Sequence, residues 1–314
     1  MTNHPKILGD CYKKFGLEHT SKSTACLKHS DRFFKKILFP KETSKLNNAS
    51  FKGGNIVHSV VQLFVTTNQY QTIDDVINSD KIQKEIDSYL PFNEKDKYKF
   101  KFIIKHLKPT AQNHLANLAE LEHQTFKAEL EYTAWLPDVQ IYWLMYLDLV
   151  GTKNFGDLKN CFGTTKESPL KKPIKKKPVK NKTDKPQLEN RIGDWIYTNK
   201  SVPQRPYFSD VMQIALYKDS CSLPPFLSYA SSSDRKLFTE NNCDELKQEN
   251  LDQALKTLSM YEIAWQKKLE IADGDVEKLA WLCVPDVSDI KKNTFMWENV
   301  PDQLKNKFLG IYGL

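Results

Sequence analysis

Tyr146, Asp148, Asp157 and Lys159 are the residues of this chain whose types and spacing could do chemistry. They lie in Ile141-Tyr-Trp-Leu-Met-Tyr-Leu-Asp148-Leu-Val-Gly-Thr-Lys-Asn-Phe-Gly-Asp157-Leu-Lys159. Aromatic and branched residues dominate both arms, and Gly151-Thr-Lys-Asn154 supplies a turn, so the pattern predicts a β-hairpin. If those residues are the loop, Val150 faces Phe155 and Asp148 faces Asp157. Period-two alternation then puts Tyr146, Asp148, Asp157 and Lys159 on one face. Two carboxylates directly opposite each other repel in a purely structural sheet. A divalent cation removes that conflict, and two carboxylates, a metal and a lysine make a phosphodiester-cleaving site. The same residues also fit a solvated edge in which Lys159 pairs with one aspartate.

The elements that must position these residues follow from periodicity and punctuation. Ser21 to Leu38 reads as one capped helix rich in basic residues. Gly53-Gly-Asn-Ile-Val-His-Ser-Val-Val-Gln-Leu-Phe-Val reads as a helix opened by glycines, with His58 on its apolar stripe. Asp74 to Tyr89 continues as amphipathic helix, and residues 95–127 form a long helical region broken near Pro109. Glu131 to Trp135 reads as a first strand, and Pro137-Asp138 as a turn before the hairpin. Asp194-Trp-Ile follows a basic stretch, and Tyr207 to Lys218 is an amphipathic helix. Pro225-Phe-Leu-Ser-Tyr-Ala-Ser is a further strand. Asp244 to Ile271 is a long helix, with Leu246, Leu251, Leu255, Leu258 and Ile263 at three- to four-residue steps. A shorter helix spans Val276–Leu282. The expected fold class is α/β, one core elaborated by an N-terminal helical portion over 1–130 and completed by residues 131–314.

Composition narrows the function classes. The 314 residues, 40% hydrophobic and 27% charged, are those of a soluble globular protein. No run of about 18 apolar residues exists, so no transmembrane helix is expected. The N-terminus lacks an apolar signal core, which points to the cytoplasm and away from a membrane. The six cysteines form no C-x-x-C pair, so neither a zinc site nor a disulfide framework is indicated. No Walker A pattern is present, so no ATP-driven helicase is fused to the chain. The net charge of +7 is concentrated: residues 166–190 carry nine lysines and a net of +6, leaving about +1 for the rest. That proline-rich segment cannot bury a core and is expected to be a mobile loop. Its Lys171, Lys172, Lys175, Lys176, Lys177 and Lys180 would attract DNA through counterion release, or serve only as a solvated spacer.

Five blocks occur in order: Gly54-Asn-Ile-Val-His58, Tyr146-Leu-Asp148-Leu-Val, Asp157-Leu-Lys159, Gln213-Ile-Ala-Leu-Tyr217 and Phe226-Leu-Ser-Tyr-Ala-Ser. Together they resemble the PD-(D/E)XK nuclease superfamily, in particular its RecB-like exonuclease branch common in phage genomes. The first block is similar to that branch's histidine motif, the second to its first metal-binding aspartate, the third to its D-x-K core, the fourth to its Q-x-x-x-Y motif and the last to a later core strand. The branch's usual glycine before the first aspartate has no counterpart in Tyr142-Trp-Leu-Met-Tyr. Asp138 is a second candidate for the proline-aspartate pair, but along a strand it would lie roughly 33 Å from Asp148.

The resemblance implies a restriction-endonuclease-like core, a mixed central sheet flanked by helices, with a helical C-terminal region. It implies Mg²⁺ or Mn²⁺ held by Asp148, Asp157 and the Leu158 carbonyl, with His58 as a further ligand or a group behind the ligands. Lys159 would orient or activate the attacking water and stabilise charge on the phosphate. Gln213 and Tyr217, four apart on one helix face, would reach over the site. Glu131 is a possible extra acidic contributor. The implied activity is a metal-dependent DNA exonuclease in phage recombination, repair or host DNA degradation. The implied partners are DNA and a phage single-strand annealing or replication protein. A structure- or sequence-specific endonuclease on the same fold and an inactive DNA-binding protein are the rivals, because fold does not settle function.

Overall fold

Gly151-Thr-Lys-Asn154 closes the expected hairpin: the Gly151 amide donates to the Asn154 carbonyl at 2.7 Å, and Val150 pairs with Phe155. The computed structural model describes residues 7–44, 48–136, 138–168, 190–294 and 296–314. The strands are β1 (His19–Thr20), β2 (Phe126–Ala134), β3 (Tyr142–Gly151), β4 (Phe155–Asn160), β5 (Thr164–Glu167), β6 (Arg191–Ile192), β7 (Trp195–Thr198), β8 (Pro225–Ala230) and β9 (Arg235–Thr239). The early helices are α1 (Asp10–Lys14), α2 (Lys22–Ala25), α3 (His29–Phe33), α4 (Pro40–Thr43), α5 (Ala49–Thr66), α6 (Ile73–Ile77), α7 (Asp80–Asp87), α8 (Glu94–Lys105) and α9 (Leu107–Leu118). After the strands come α10 (Phe208–Ser220), α11 (Gln248–Ala272), α12 (Val276–Leu282), α13 (Val287–Lys291) and α14 (Asp302–Gly310).

Among the described residues the main sheet runs β1-β3-β4-β8-β9, with β2 also paired to β3. It is mixed: β1–β3 and β4–β8 are parallel, the other neighbours antiparallel. β2 occupies one edge of β3 from Trp143 to Gly151. β1 and β4 therefore share the other edge, at its opposite ends, Tyr142–Trp143 and Leu149–Val150. Between them the edge forks open over 144–148, and Asp148 lies in the fork.

Helices cover both faces. On one, Trp143, Met145, Leu147, Phe155 and Leu227 pack with α10, α11 and the N- and C-terminal helices. On the other, Leu149, Leu158 and Phe226 pack against Ile56, Val57, Val60 and Val61 of α5 and against α8 and α9. Leu147 and Leu149 thus join opposite faces, although strict alternation would keep them together. The pleat breaks at Asp148, where Glu129, opposite it on β2, has φ +49. A small second sheet, β5-β7-β6, docks on α8 through the Tyr98–Trp195 and Phe102–Tyr197 ring stacks, 5.3 and 5.2 Å between centroids.

Several expected elements differ. Ser21 to Leu38 is not one helix: α2 ends at Ala25, α3 starts at His29, and Phe34–Leu38 is a π turn. Gly53 and Gly54 lie inside α5, which Asn48 caps by accepting the Phe51 amide at 2.9 Å. Gly53 is there for packing, since a Cβ would stand 2.5 Å from Ile103 on α8. Asp74 to Tyr89 is broken into α6 and α7 at Asn78-Ser79. Residues 95–127 break at His106, and Pro109 sits in the first turn of α9, where its missing amide costs nothing. β2 begins at Phe126 and ends at Ala134, so it spans the expected boundary at 130 and leaves Trp135 outside. A 3₁₀ turn precedes α11, which starts at Gln248. The cysteine thiols are free, and no helix among the described residues is long and apolar enough to cross a membrane.

Candidate active site

Asp148 enters the fork because β4 parts from β3 after the Leu149–Gly156 pair while staying paired along its whole length with the parallel strand β8, with Asp157 opposite Leu227. Gly156 permits this: a Cβ there would stand 2.4 Å from the Phe226 carbonyl oxygen. The direct Asp148–Asp157 strand pair expected from the hairpin is therefore replaced by a diagonal contact. Oδ2 of Asp148 accepts the Leu158 amide at 2.8 Å, and the two carboxylates are within hydrogen-bonding reach of each other. The Leu158 side chain points into the apolar layer beneath α5.

The electrostatics are those of a like-charge pair. Asp157 is 2% exposed. Burial first, and the Asp148 charge second, push its carboxyl well above the usual range. Its Oδ2 forms an ion pair with Lys159 but has no hydrogen bond of ordinary geometry. Burial works against ionised Asp148 too, but His58, 3.4 Å away through Nδ1, outweighs it and holds that carboxyl low. The same contact raises the His58 imidazole against the effect of burial. Burial opposes the Lys159 charge, yet Asp157, Asp210 and Asp148 overcome it, so the ammonium stays protonated far into the alkaline range.

α5 and α10 reach the fork from opposite faces of the sheet. From α5, Gln62 Nε2 donates to the Asp148 carbonyl at 3.1 Å, one turn beyond His58. From α10, Gln213 and Tyr217 form a relay four residues apart. Lys159 Nζ donates to Gln213 Oε1 at 2.8 Å, Gln213 Nε2 donates to the Tyr217 hydroxyl, and that hydroxyl donates to the Tyr146 carbonyl at 2.8 Å. The fork thus brings together His58, Asp148, Asp157, Lys159, Gln213 and Tyr217. The expected DNA-contacting lysines Lys171, Lys172, Lys175, Lys176, Lys177 and Lys180 lie outside the described residues.

Other groups were missed in the sequence. Asp210 is 8% exposed, accepts the Tyr229 hydroxyl at 2.5 Å and lies 3.7 Å from both Lys159 and Lys22. Lys22, from α2, is thus a second cation beside Lys159, and burial and that neighbour depress its pKa. Nothing in Ser21-Lys-Ser-Thr or Phe208-Ser-Asp signals this, because it arises from packing. Glu131 is exposed and faces the Tyr146 hydroxyl as its acceptor instead of joining the carboxylates. The β2 acid at the site is Glu129, which lines a cleft of about 720 Å³ with His58, Gln62, Glu85 and Asp148. Alternation puts Glu129 and Glu131 on one face of β2, and only the register with β3 sets Glu129 opposite Asp148. Asp138, with φ +63, is in the turn before β3 and is not among these groups.

Among the described residues no three His, Cys, Asp or Glu side chains converge as a ready metal cage. The donors present are two neighbouring carboxylates, Asp157 with a buried oxygen short of hydrogen bonds and Asp148 lining the cleft. That set fits Mg²⁺ or Mn²⁺, hard ions held by one or two carboxylates while keeping several waters. No family model matches the chain, and no curated protein matches it. One solved structure aligns with it, a crystal structure from Eubacterium rectale described as a "putative exonuclease". That structure is 14% identical, with 85% of this chain and 87% of that chain covered and a TM-score of 0.41, a likeness too distant to carry an argument.

Proposed function

We propose that this protein is a divalent-metal-dependent deoxyribonuclease, an exonuclease serving phage DNA recombination, repair or degradation of host DNA. One observation carries the reading. Asp148 and Asp157 meet in a sheet fork with Lys159 beside them, an arrangement that destabilises a metal-free fold and suits a metal-loaded one. Asp148 and Asp157 would hold Mg²⁺ or Mn²⁺, with the Leu158 carbonyl completing the protein's share. Such an ion, when bound, supplies Lewis acidity and a water acidified toward neutrality.

The chain's own groups account for the rest. His58 keeps Asp148 ionised and oriented. Lys159, permanently charged, acts as an electrostatic clamp on the phosphate oxygen where negative charge develops, and not as a base. Gln213 and Tyr217 hold that ammonium against β3, so it need not reorganise when the charge appears. Lys22 extends the cationic surface toward the neighbouring phosphate.

The test is digestion of end-labelled linear DNA beside covalently closed circular DNA, with Mg²⁺, Mn²⁺ or EDTA, and with Asp157→Ala as control. Metal-dependent loss of the linear DNA alone, abolished in the variant, is the expected result. Cutting of the closed circle replaces the exonuclease by an endonuclease. No cleavage of either by folded protein leaves a DNA-binding protein that has lost the chemistry.

A further inference from the structure

We propose that a single DNA strand runs from the candidate active site along α5, with one base stacked on Phe51 and its phosphates held by Lys35 and Lys36. This rests on the nuclease reading. Phe51 is 56% exposed, an unusual state for a phenylalanine at the head of a helix whose opposite face is core. It lines two clefts at once. One is the cleft that holds His58 and Asp148. The other, about 470 Å³, is bordered by Lys35, Lys36, Asn48 and Asn299. Phe51 therefore stands on the ridge between the carboxylates and a basic pocket.

Helix geometry makes the path continuous. Phe51, Asn55, Ser59 and Gln62 recur on one face of α5 with His58 and border the first cleft. From Phe51 to His58 the helix rises about 10 Å. That is roughly three nucleotide steps at the spacing of one strand. An exposed ring beside cations is how proteins hold unpaired strands without reading sequence: bases stack on the ring and the backbone follows the charge. A base within a duplex cannot stack on a side chain in this way, so the occupant is single-stranded.

The basic pocket has its own cause. Lys35 and Lys36 lie in the π turn Phe34–Leu38, and such turns recur at functional sites. Among the described residues neither lysine makes an ion pair, unlike Lys28 with Asp289 or Lys95 with Glu298. Two lysines adjacent in sequence and free of a close ion pair, with Asp31 as the carboxylate nearest to act on Lys35, stand beside the side-chain amides of Asn48 and Asn299 and fit a phosphodiester backbone.

The test is fluorescence anisotropy of a fluorescein-labelled oligothymidine of about 12 nucleotides, titrated in EDTA across roughly 50–200 mM salt. Phe51→Ala should weaken binding about ten-fold or more, and Phe51→Trp should restore it. Lys35→Ala with Lys36→Ala should flatten the logarithmic salt slope by about 1.4, two phosphate contacts' worth. Circular dichroism melting checks that each variant is folded, and the tryptophan and lysine variants stand independently of Phe51→Ala. A wild-type protein that does not bind the strand overturns the proposal, as do variants that bind with wild-type affinity and slope. If the variants lose binding as expected but wild-type protein with Mg²⁺ cuts nothing, the track stands and the hydrolytic reading falls. If wild-type protein cuts while the variants bind unchanged, the track falls alone.

Discussion

A buried carboxylate beside another carboxylate is a poor anion until a cation reaches it. Replacing Asp157 by Asn removes the conflict while keeping the shape. The metal-free Asp157→Asn protein should melt a few °C above the metal-free wild type, a gain of about 1 kcal/mol. Mg²⁺ should raise the melting temperature of the wild type, by mass action, and leave that of the variant unmoved. Equal responses to Mg²⁺ would remove Asp157 from the ion's surroundings. Tyr217→Phe deletes the hydroxyl that ties Gln213 to β3 and leaves the Tyr146 carbonyl without that donor. It should lower kcat about ten-fold with little change in KM, at a stability cost of about 1–2 kcal/mol. A raised KM at constant kcat would mean that Tyr217 serves binding only. At this scale the meeting of Asp148, Asp157 and Lys159 was legible from residue type and hairpin spacing, although the broken pleat at Asp148 turned the expected cross-strand pair into a diagonal contact. Lys22 and Asp210 were not, because their meeting depends on how α2 and α10 pack, which no local pattern records.

At the scale of elements, the hairpin, α10, α12 and β8 follow from periodicity and turn residues. The fork does not, because it depends on β4 parting from β3 after two pairs while β8 holds its other edge, and β1 is only two residues long. α9 shows how the elements are locked together behind the site. His114, fully buried, bonds Ser228 of β8 at 2.8 Å and Asn160 of β4 at 3.1 Å. Burial, with the His58 charge second, pushes its imidazole down to about 3. The folded value lies below the unfolded one of about 6.5, so this group's contribution to stability is complete above the unfolded value and is lost as pH falls toward the folded one. Between about pH 6 and 4 the wild type should lose up to about 1.4 kcal/mol per pH unit through His114. His114→Gln should be less stable at neutral pH but follow a flatter curve over that window in urea unfolding. Parallel curves for the two proteins would show that His114 does not titrate on unfolding.

At the scale of the whole molecule, a fully buried ion pair ties α3 to α11. Arg32 of α3, 2% exposed, donates through both terminal nitrogens to Glu262 of α11 at 2.8 and 2.7 Å. Tyr12 and Thr20 donate to the same carboxylate. Glu262→Ala strands the guanidinium in the core and should cost about 3–5 kcal/mol in chemical denaturation. Arg32→Leu with Glu262→Leu should recover much of that loss. A double variant as damaged as the single one would mean that the pair is a net stabiliser. The long-range partner of Arg32 was invisible in the sequence, since 230 residues separate it from Glu262.

The forked edge of β3 also dictates an order of events. One tine of the fork, β1, lies near the start of the chain, and the helix that clamps its surroundings begins at Gln248. During synthesis β1 therefore waits for its partner until β3 is made, more than a hundred residues later. Contacts this far apart in sequence form slowly, after local ones. Lys22 is brought beside Asp210 by a segment whose Arg32 is held by Glu262 of α11, made later still. A half-folded chain can therefore hold the aspartates of β3 and β4 together and still lack Lys22, so the proposed site is completed late, by the docking of α2 and α3 on α11.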